Sequence, residues 1–339
     1  MATLYIIEQG AVLGCDGERL EVRRESAVLA SVSLVKLDDI VVFGNVGLST
    51  PAIKRLLDRN IDVVFLTIDG RYHGRLIGQS TAHVALRQAQ YARAADAAWA
   101  LGQAQRFVEG KLRNQRAVLH RFTRNRANAP DEAETAADEA DGDLRRIGRT
   151  TQLNALLGVE GSATARYFRG LRALLGPDWH FTSRQRRPPP DPINVLLSLG
   201  YTLLAHKAQG AVQSAGFDPY LGFLHQHAYK RPSLALDLME EFRPILVDAL
   251  VLRVCGDGRV TPSDFSAGDE ARPVVLGDEA MRRFLTAFEE RMRTEATHPL
   301  GADSGPGRVS YLRCLELQAR QLARAVRGEV AAYTPFTAR

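Results

Sequence analysis

Residues 217–244, FDPYLGFLHQHAYKRPSLALDLMEEFRP, gather the side chains most able to do chemistry. His225 and His227 stand in an apolar setting, followed by the basic pair Lys230 and Arg231. Asp237, Glu240 and Glu241 then fall on what reads as the start of a helix. A histidine and carboxylates on adjoining elements can hold a divalent metal, and cations between them suit a polyanion. In an extended segment the two histidines, spaced by two, point the same way. On a helix Asp237 and Glu240 share a face, while Glu241 turns about 100° aside. An acidic first turn favoured by the helix dipole is the alternative reading of this cluster. Pro244 removes the hydrogen bond to the carbonyl of residue 240, which predicts a bend at Glu240 in a helix running from Pro232-Ser233 to about Val254.

Other elements must bring partners to these groups. A helix over roughly 143–175 carries the stripe Leu153, Leu156, Leu157, Glu160, Thr164, Tyr167, Phe168 and Leu171. Glu160 occupies an apolar slot in it, which is costly unless the carboxylate is paired, protonated or bound to metal. An ion pair with a buried arginine, Arg166 for example, and a functional role both account for it. Further on, SRQRRPPPDP sets Arg184, Arg186 and Arg187 beside prolines that keep the backbone extended. Three guanidinium groups on a stiff loop make a phosphate clamp, or an ordinary surface linker. Asp191-Pro192 opens a helix on which Asn194, Ser198 and Tyr201 share a polar face, either the wall of a site or a hydrogen-bonded helix contact.

Before these helices, residues 3–43 read as short strands with turns at Gln9-Gly10 and Asp16-Gly17. Thr50, followed by Pro51, is expected to cap a short helix. DVVFLTI and RYHGRLI form a hairpin about Asp69-Gly70. This predicts a compact β-rich unit over residues 1–78 and a helical domain over 79–339. Residues 82–126 lack proline and read as one long helix or two. Their basic end fits either a phosphate backbone or a solvated face. The acidic segment 130–143 is expected to be a flexible loop, having few apolar residues to pack. Toward the end, a break at 256–278 precedes a last helix over about 309–331, and the tail YTPFTAR is expected to dock on the helical core.

The chain has 339 residues, room for two domains. Formal net charge is +5, and leaving out the seven acids of residues 131–143 raises it to +12 for the rest. That balance favours nucleic acid or another anionic partner, although the chain's arginine preference (Lys only at 36, 54, 111, 207 and 230) is a simpler source of it. Cys15, Cys255 and Cys314 are scattered, which argues against a disulfide framework or a cysteine zinc site. No signal peptide and no membrane-length apolar run are found, so a cytoplasmic protein with no membrane association is expected. The combined reading is a metal-dependent enzyme acting on DNA phosphodiesters.

These pieces together resemble the CRISPR-associated integrase of spacer acquisition, the first of the universal CRISPR-associated proteins. The resemblance rests on FGNVGLSTPAIKRLLDRNIDVVFLTIDGRYHGRL, LLGVEGSATARYF, RRPPPDPINVLLSLGYTLL, DPYLGFLHQ and SLALDLMEEFRP, and covers nearly the whole chain in order. It implies an α+β fold, a small β-rich N-terminal domain that dimerises followed by a larger all-α catalytic domain. A homodimer, a small ferredoxin-like partner (the second universal CRISPR-associated protein) and double-stranded DNA are the implied partners. The family's metal ligands fall on Glu160, His225 and Glu240, with Asp237 nearby as a further catalytic candidate and Mg²⁺ or Mn²⁺ as the cofactor. The division of roles between Asp237 and Glu240 stays open. Arg184, Arg186, Arg187, Lys230, Arg231, Asn194 and Tyr201 are the expected DNA contacts. The implied reaction is attack of a 3′-hydroxyl on a phosphodiester, inserting captured DNA into a repeat array. A generic metal-dependent repair nuclease and a non-catalytic DNA-binding scaffold are the alternatives, and a strand-transfer assay run against plain hydrolysis separates the first two.

Overall fold

The structure is a computed structural model, and residues 2–78, 83–124, 126, 129–225, 231–302 and 305–338 are the ones it describes. Two units divide the chain, Met1–Thr81 and Ala82–Arg339. The first holds eight strands: β1 (Ala2–Ile6), β2 (Val12–Asp16), β3 (Arg19–Arg24), β4 (Ala27–Ser33), β5 (Leu37–Phe43), β6 (Gly47–Leu48), β7 (Asp62–Leu66) and β8 (Tyr72–Leu76). They form two four-stranded sheets, ordered β1-β5-β7-β8 and β4-β3-β2-β6. β1, β5 and β7 run parallel, and β8 returns antiparallel on β7 through the turn at Asp69-Gly70. Ile6, Ile40, Val42 and Val63 from one sheet share a core with Leu13, Leu20 and Val22 from the other. The helix α1 (Thr50–Asp58) adds Ala52 and Leu56 to that core. Its cap is Ser49, whose Oγ accepts the Ala52 N–H at 3.3 Å, so the cap lies one residue before the expected Thr50.

The second unit is built from helices: α2 (Val84–Ala95), α3 (Ala97–Arg124), α4 (Asp131–Ile147), α5 (Leu153–Leu175), α6 (Pro192–Ser214), α7 (Ser233–Met239), α8 (Ala249–Gly256), α9 (Asp278–Arg293) and α10 (Tyr311–Val326). Residues 82–126 form two helices, because the Asp96 carboxylate accepts the N–H groups of Ala98 and Trp99, both at 3.1 Å, and opens α3. The acidic segment is not a flexible loop. It is α4, with Ala133, Ala136, Ala137 and Ile147 buried on one face. Alanine buries little area but is the best helix former, so this face packs closely on α3 and α5. The acids opposite pair with neighbours: Arg172 with Glu132 at 2.9 Å, Arg116 with Asp141 at 3.2 Å, and Arg166 with Asp143. The helix read over 143–175 is therefore two helices, broken at 148–152. Helices dominate this unit as expected, with two short hairpins set between them. β9 (Phe265–Ala267) pairs with β10 (Val274–Leu276), and β11 (Glu295–Ala302) with β12 (Gly305–Ser310). The last helix accordingly begins at Tyr311, where Ser310 caps it. No helix among the described residues is long and apolar enough to cross a membrane.

Candidate active site

Four elements of the helical unit converge on one place. The long helix α3 contributes Lys111, α5 contributes Glu160, and the stretch 217–225 after α6 contributes His225. The fourth is the break after α7, and it sits where Pro244 predicted it. α7 stops at Met239, and Glu240 N–H and Phe242 N–H bond three residues back, to Asp237 O at 3.2 Å and Met239 O at 3.0 Å. Arg243–Asp248 then wind as one turn of π-helix into α8. A carboxylate at such a joint is aimed by the bend rather than by the helical period. Glu240 is that residue, and it is buried.

Lys111 Nζ lies against Glu160 Oε1 and 2.8 Å from Glu240 Oε2. On the other side of Glu240, Oε1 faces Arg243 Nη1 at 3.1 Å and His225 Nε2 at 3.8 Å. The sequence candidates Glu160, Glu240 and His225 are thus brought together, with an ammonium between the two carboxylates. Burial disfavours a charged Glu240, but Arg243, Lys111 and His225 outweigh it and hold the carboxyl down at about 2. Burial likewise works against the Lys111 ammonium, and Glu240 and Glu160 overcome it, raising its pKa. Thr164 Oγ1 donates to Glu160 Oε1 at 3.1 Å. Arg166, the expected partner of Glu160, is spent on Asp143 and Glu139.

Asp237 stands behind His225 and is fully buried. Its Oδ2 accepts the N–H groups of Phe223 at 2.6 Å and Leu224 at 2.9 Å. Its Oδ1 takes the His225 N–H at 2.9 Å and contacts the ring Nδ1 at 2.7 Å. An ionised carboxylate only accepts, so Nδ1 carries a proton, and Nε2 is the ring nitrogen that faces Glu240. The close approach needs Gly222, where a Cβ would stand 2.7 Å from Asp237 Oδ2 and 2.9 Å from the Ser233 backbone. Asp237 therefore orients the imidazole, and Glu240 is the carboxylate that faces it.

Two carboxylates and an imidazole are a donor set for a hard divalent cation, and a buried oxygen is available: Glu240 Oε2 receives no aligned hydrogen bond despite the nearby ammonium. Among the described residues no three His, Cys, Asp or Glu side chains stand close enough to hold a metal ion. The Lys111 ammonium lies between the two acids.

Beside this group opens a cavity of about 480 Å³. Lys111, Arg169, Arg184, Arg186 and Arg243 line it with Glu160. Arg184 is pinned to α6, donating to Asn194 Oδ1 at 2.8 Å and Ser198 Oγ at 3.0 Å. The Tyr201 ring lies under Arg243 and Arg184, at 4.9 and 5.4 Å, and its hydroxyl donates to Asp248. Tyr167 donates to the same buried carboxylate at 2.9 Å, and burial still pushes Asp248 up to about 6.

Not every expected DNA contact is placed to make one. Asn194 is fully buried. Its amide donates to Ser183 O at 2.9 Å and Asp191 Oδ2 at 2.7 Å, and its oxygen accepts from Arg184 and Gln185, so it ties the arginine loop to α6 instead. Arg187 is exposed outside the cavity lining, and Arg231 is half-buried. Lys230 and His227 lie outside the described residues. Lys111, Arg243 and Asp248 were missed. Only Lys111 left a signal, as one of five lysines in a chain that otherwise uses arginine, set between Gly110 and Leu112 on a helix face that proves buried.

The CRISPR-associated endonuclease Cas1 3 of Thermus thermophilus is 38% identical over 341 residues, spanning 100% of this chain and 98% of that protein. A CRISPR-associated exonuclease Cas4/endonuclease Cas1 fusion of Geobacter sulfurreducens is 36% identical over 344 residues, covering 99% of this chain, which spans 60% of the fusion's length. Among solved structures, a chain of a Cas6-RT-Cas1–Cas2 complex superposes with a TM-score of 0.83 at 27% identity, covering 99% of this chain and 36% of that one. A casposase bound to integration product shares the fold, with a TM-score of 0.85 at 24% identity over 98% of this chain and 93% of its own. The family model described as CRISPR associated protein Cas1 matches residues 4–290, and the chain belongs to that family.

Proposed function

We propose that Glu160, His225 and Glu240 are the metal-holding residues of a DNA endonuclease/integrase of CRISPR spacer acquisition, taking Mg²⁺ or Mn²⁺. The observation that carries this reading is the run of contacts Glu160–Lys111–Glu240–His225, whose first two members line a cationic cavity. When bound, the cation supplies Lewis acidity to a phosphodiester oxygen on which charge builds. The chain's own residues do the rest. Arg169, Arg184 and Arg186 attract backbone phosphates, an effect that weakens with salt. Arg243 keeps Glu240 ionised and adds positive charge where the leaving oxygen becomes negative. Asp237 keeps the proton on Nδ1 of His225, leaving Nε2 free to ligate.

With a 3′-hydroxyl as nucleophile the product is a joined strand, and with water it is a nick. The chain is proposed to work on double-stranded DNA as a homodimer with the small second universal CRISPR-associated protein. A relative found in a complex with Cas2 supports that partner. Glu160→Gln and His225→Ala are each expected to lower strand transfer into a repeat-containing duplex by about 10³-fold or more. Duplex retention in a gel-shift assay should stay within a few-fold of the parent, because the arginines remain. Normal integration by either variant refutes the site.

A further inference from the structure

Lys111 is hard to explain as scaffolding alone. It reaches from α3 into an interior position with its side chain only 7% exposed, and its ammonium touches both Glu160 and Glu240. A structural lysine needs one acid, whereas this one sits between the two carboxylates assigned above to a metal. Counting charges, the three carboxylates Glu160, Asp237 and Glu240 are set against Lys111 and Arg243, so the cluster is close to balanced as it stands, with one negative charge left over. A divalent cation adds two positive charges, and while the ammonium stays it leaves that buried place with an excess of positive charge. It can enter comfortably only if the ammonium leaves, or if an anion arrives with the metal. The cavity supplies a way out, for Lys111 lines it together with Arg169, Arg184, Arg186 and Arg243, the groups that attract phosphate.

Resting on the metal-site reading, we propose that Lys111 is a resident counter-ion that occupies the metal's place between Glu160 and Glu240. Its ammonium moves onto a DNA phosphate when metal and substrate bind, so that each strengthens the binding of the other. Without DNA, the ammonium competes with the metal for the same oxygens, and metal binding is weak. With a phosphodiester in the cavity, the ammonium has a second anion to pair with and the competition falls away. Such reciprocity is a thermodynamic necessity once both ligands act on one side chain.

Lys111→Met tests this, because methionine keeps much of the stem's length and apolar volume while removing the charge. Mn²⁺ binding to the full chain is followed by electron paramagnetic resonance, with and without a short duplex. The variant is expected to bind Mn²⁺ about tenfold or more tightly in the absence of DNA, and to lose most of the parent's DNA-linked gain in affinity. Its metal-free form should melt lower than the parent's, with a larger upward shift on adding Mn²⁺. If Lys111→Met does not fold, Lys111→Gln takes the same measurements. Unchanged or weaker Mn²⁺ affinity, or an equal DNA-linked gain in parent and variant, overturns the proposal. The parent and Glu160→Gln separate the two levels. Mn²⁺ binding that ignores Glu160→Gln defeats the metal-site reading itself. Binding that depends on Glu160 but ignores Lys111→Met defeats only the counter-ion.

Discussion

Asp237→Asn probes how the site is aimed. Asp237 accepts four donors, three backbone N–H groups and the His225 ring, with both oxygens fully engaged. An asparagine replaces one of those oxygens by an NH₂ donor. If the amide nitrogen faces Phe223 and Leu224, two buried N–H groups lose their acceptor and meet another donor. If it faces His225, one backbone N–H is orphaned and the imidazole must change tautomer, putting its proton on Nε2. Each unsatisfied buried donor costs about 1–3 kcal/mol, so the variant should lose about that much with the amide toward His225 and about twice that with it toward Phe223 and Leu224. At about 2–4 °C per kcal/mol for a unit of this size, the loss is plain in a thermal melt. The tautomer change blocks the nitrogen that faces Glu240, and Mn²⁺ affinity should fall about 10- to 100-fold, as for other supports of a ligating histidine. The assay pairs differential scanning fluorimetry with Mn²⁺ binding on the same sample. An Asp237→Asn protein that melts like the parent and binds Mn²⁺ equally refutes the role of Asp237 in holding His225.

Other consequences are as direct. Burial raises Asp248 from 3.8 to about 6, so its proton is bound more tightly in the folded chain, and the stability this group contributes is present below pH 4 and lost as pH rises through 6. The loss comes to about 3 kcal/mol, and Asp248→Asn should remove that part of the slope, leaving the variant the more stable of the two at pH 8 in melts run across pH. Gly222→Ala forces a Cβ to 2.7 Å from Asp237 Oδ2, against a neighbour that cannot yield without disturbing His225. It should cost about 1–3 kcal/mol and weaken Mn²⁺ binding together, and a variant that loses neither places that turn outside the site's support.

The fold was readable where one face is apolar and the other polar. The strands of the N-terminal unit and the helices α5 and α6 announce themselves by period and by turn residues. The acidic helix α4 did not, because alanine carries little hydrophobic signal and seven acids look like a solvated loop until their arginine partners on α3 and α5 are in place. The hairpin of β11 and β12 hid for a related reason. Its glycines and prolines carry no strand pattern of their own, and only pairing across the turn makes strands of them. At the site, the carboxylates and His225 could be found because an acid on an apolar stripe and a proline after an acidic pair are local anomalies. The partner of Glu160 could not. Lys111 and Arg166 are equally cationic on paper, and the choice between them depends on how α3, α4 and α5 pack.

Glu240 and Glu241 show what that packing decides. They are neighbours of one type, both buried, yet one carboxyl is held at about 2 and the other pushed up to about 7. Burial raises both. Glu240 faces Arg243, Lys111 and His225, which overcome it, whereas Glu241 finds only neutral donors. Those donors come largely from the chain's end: Tyr333 Oη, Gln318 Nε2 at 3.0 Å and Phe336 N–H at 2.8 Å. The tail docks as expected, and Asn114 fastens it by bonding Glu241 O at 2.7 Å and Phe336 O at 2.9 Å. Gly110 lets it approach α3, since a Cβ there would meet Pro335 Cβ at 2.7 Å. The turn bearing Glu240 is thereby gripped from behind by hydrogen bonds that carry no cation, one turn along α3 from Lys111. A joint loosened by Pro244 could not aim a carboxylate on its own. Held at Glu241 by the tail, it can leave Glu240 free to exchange one cation for another.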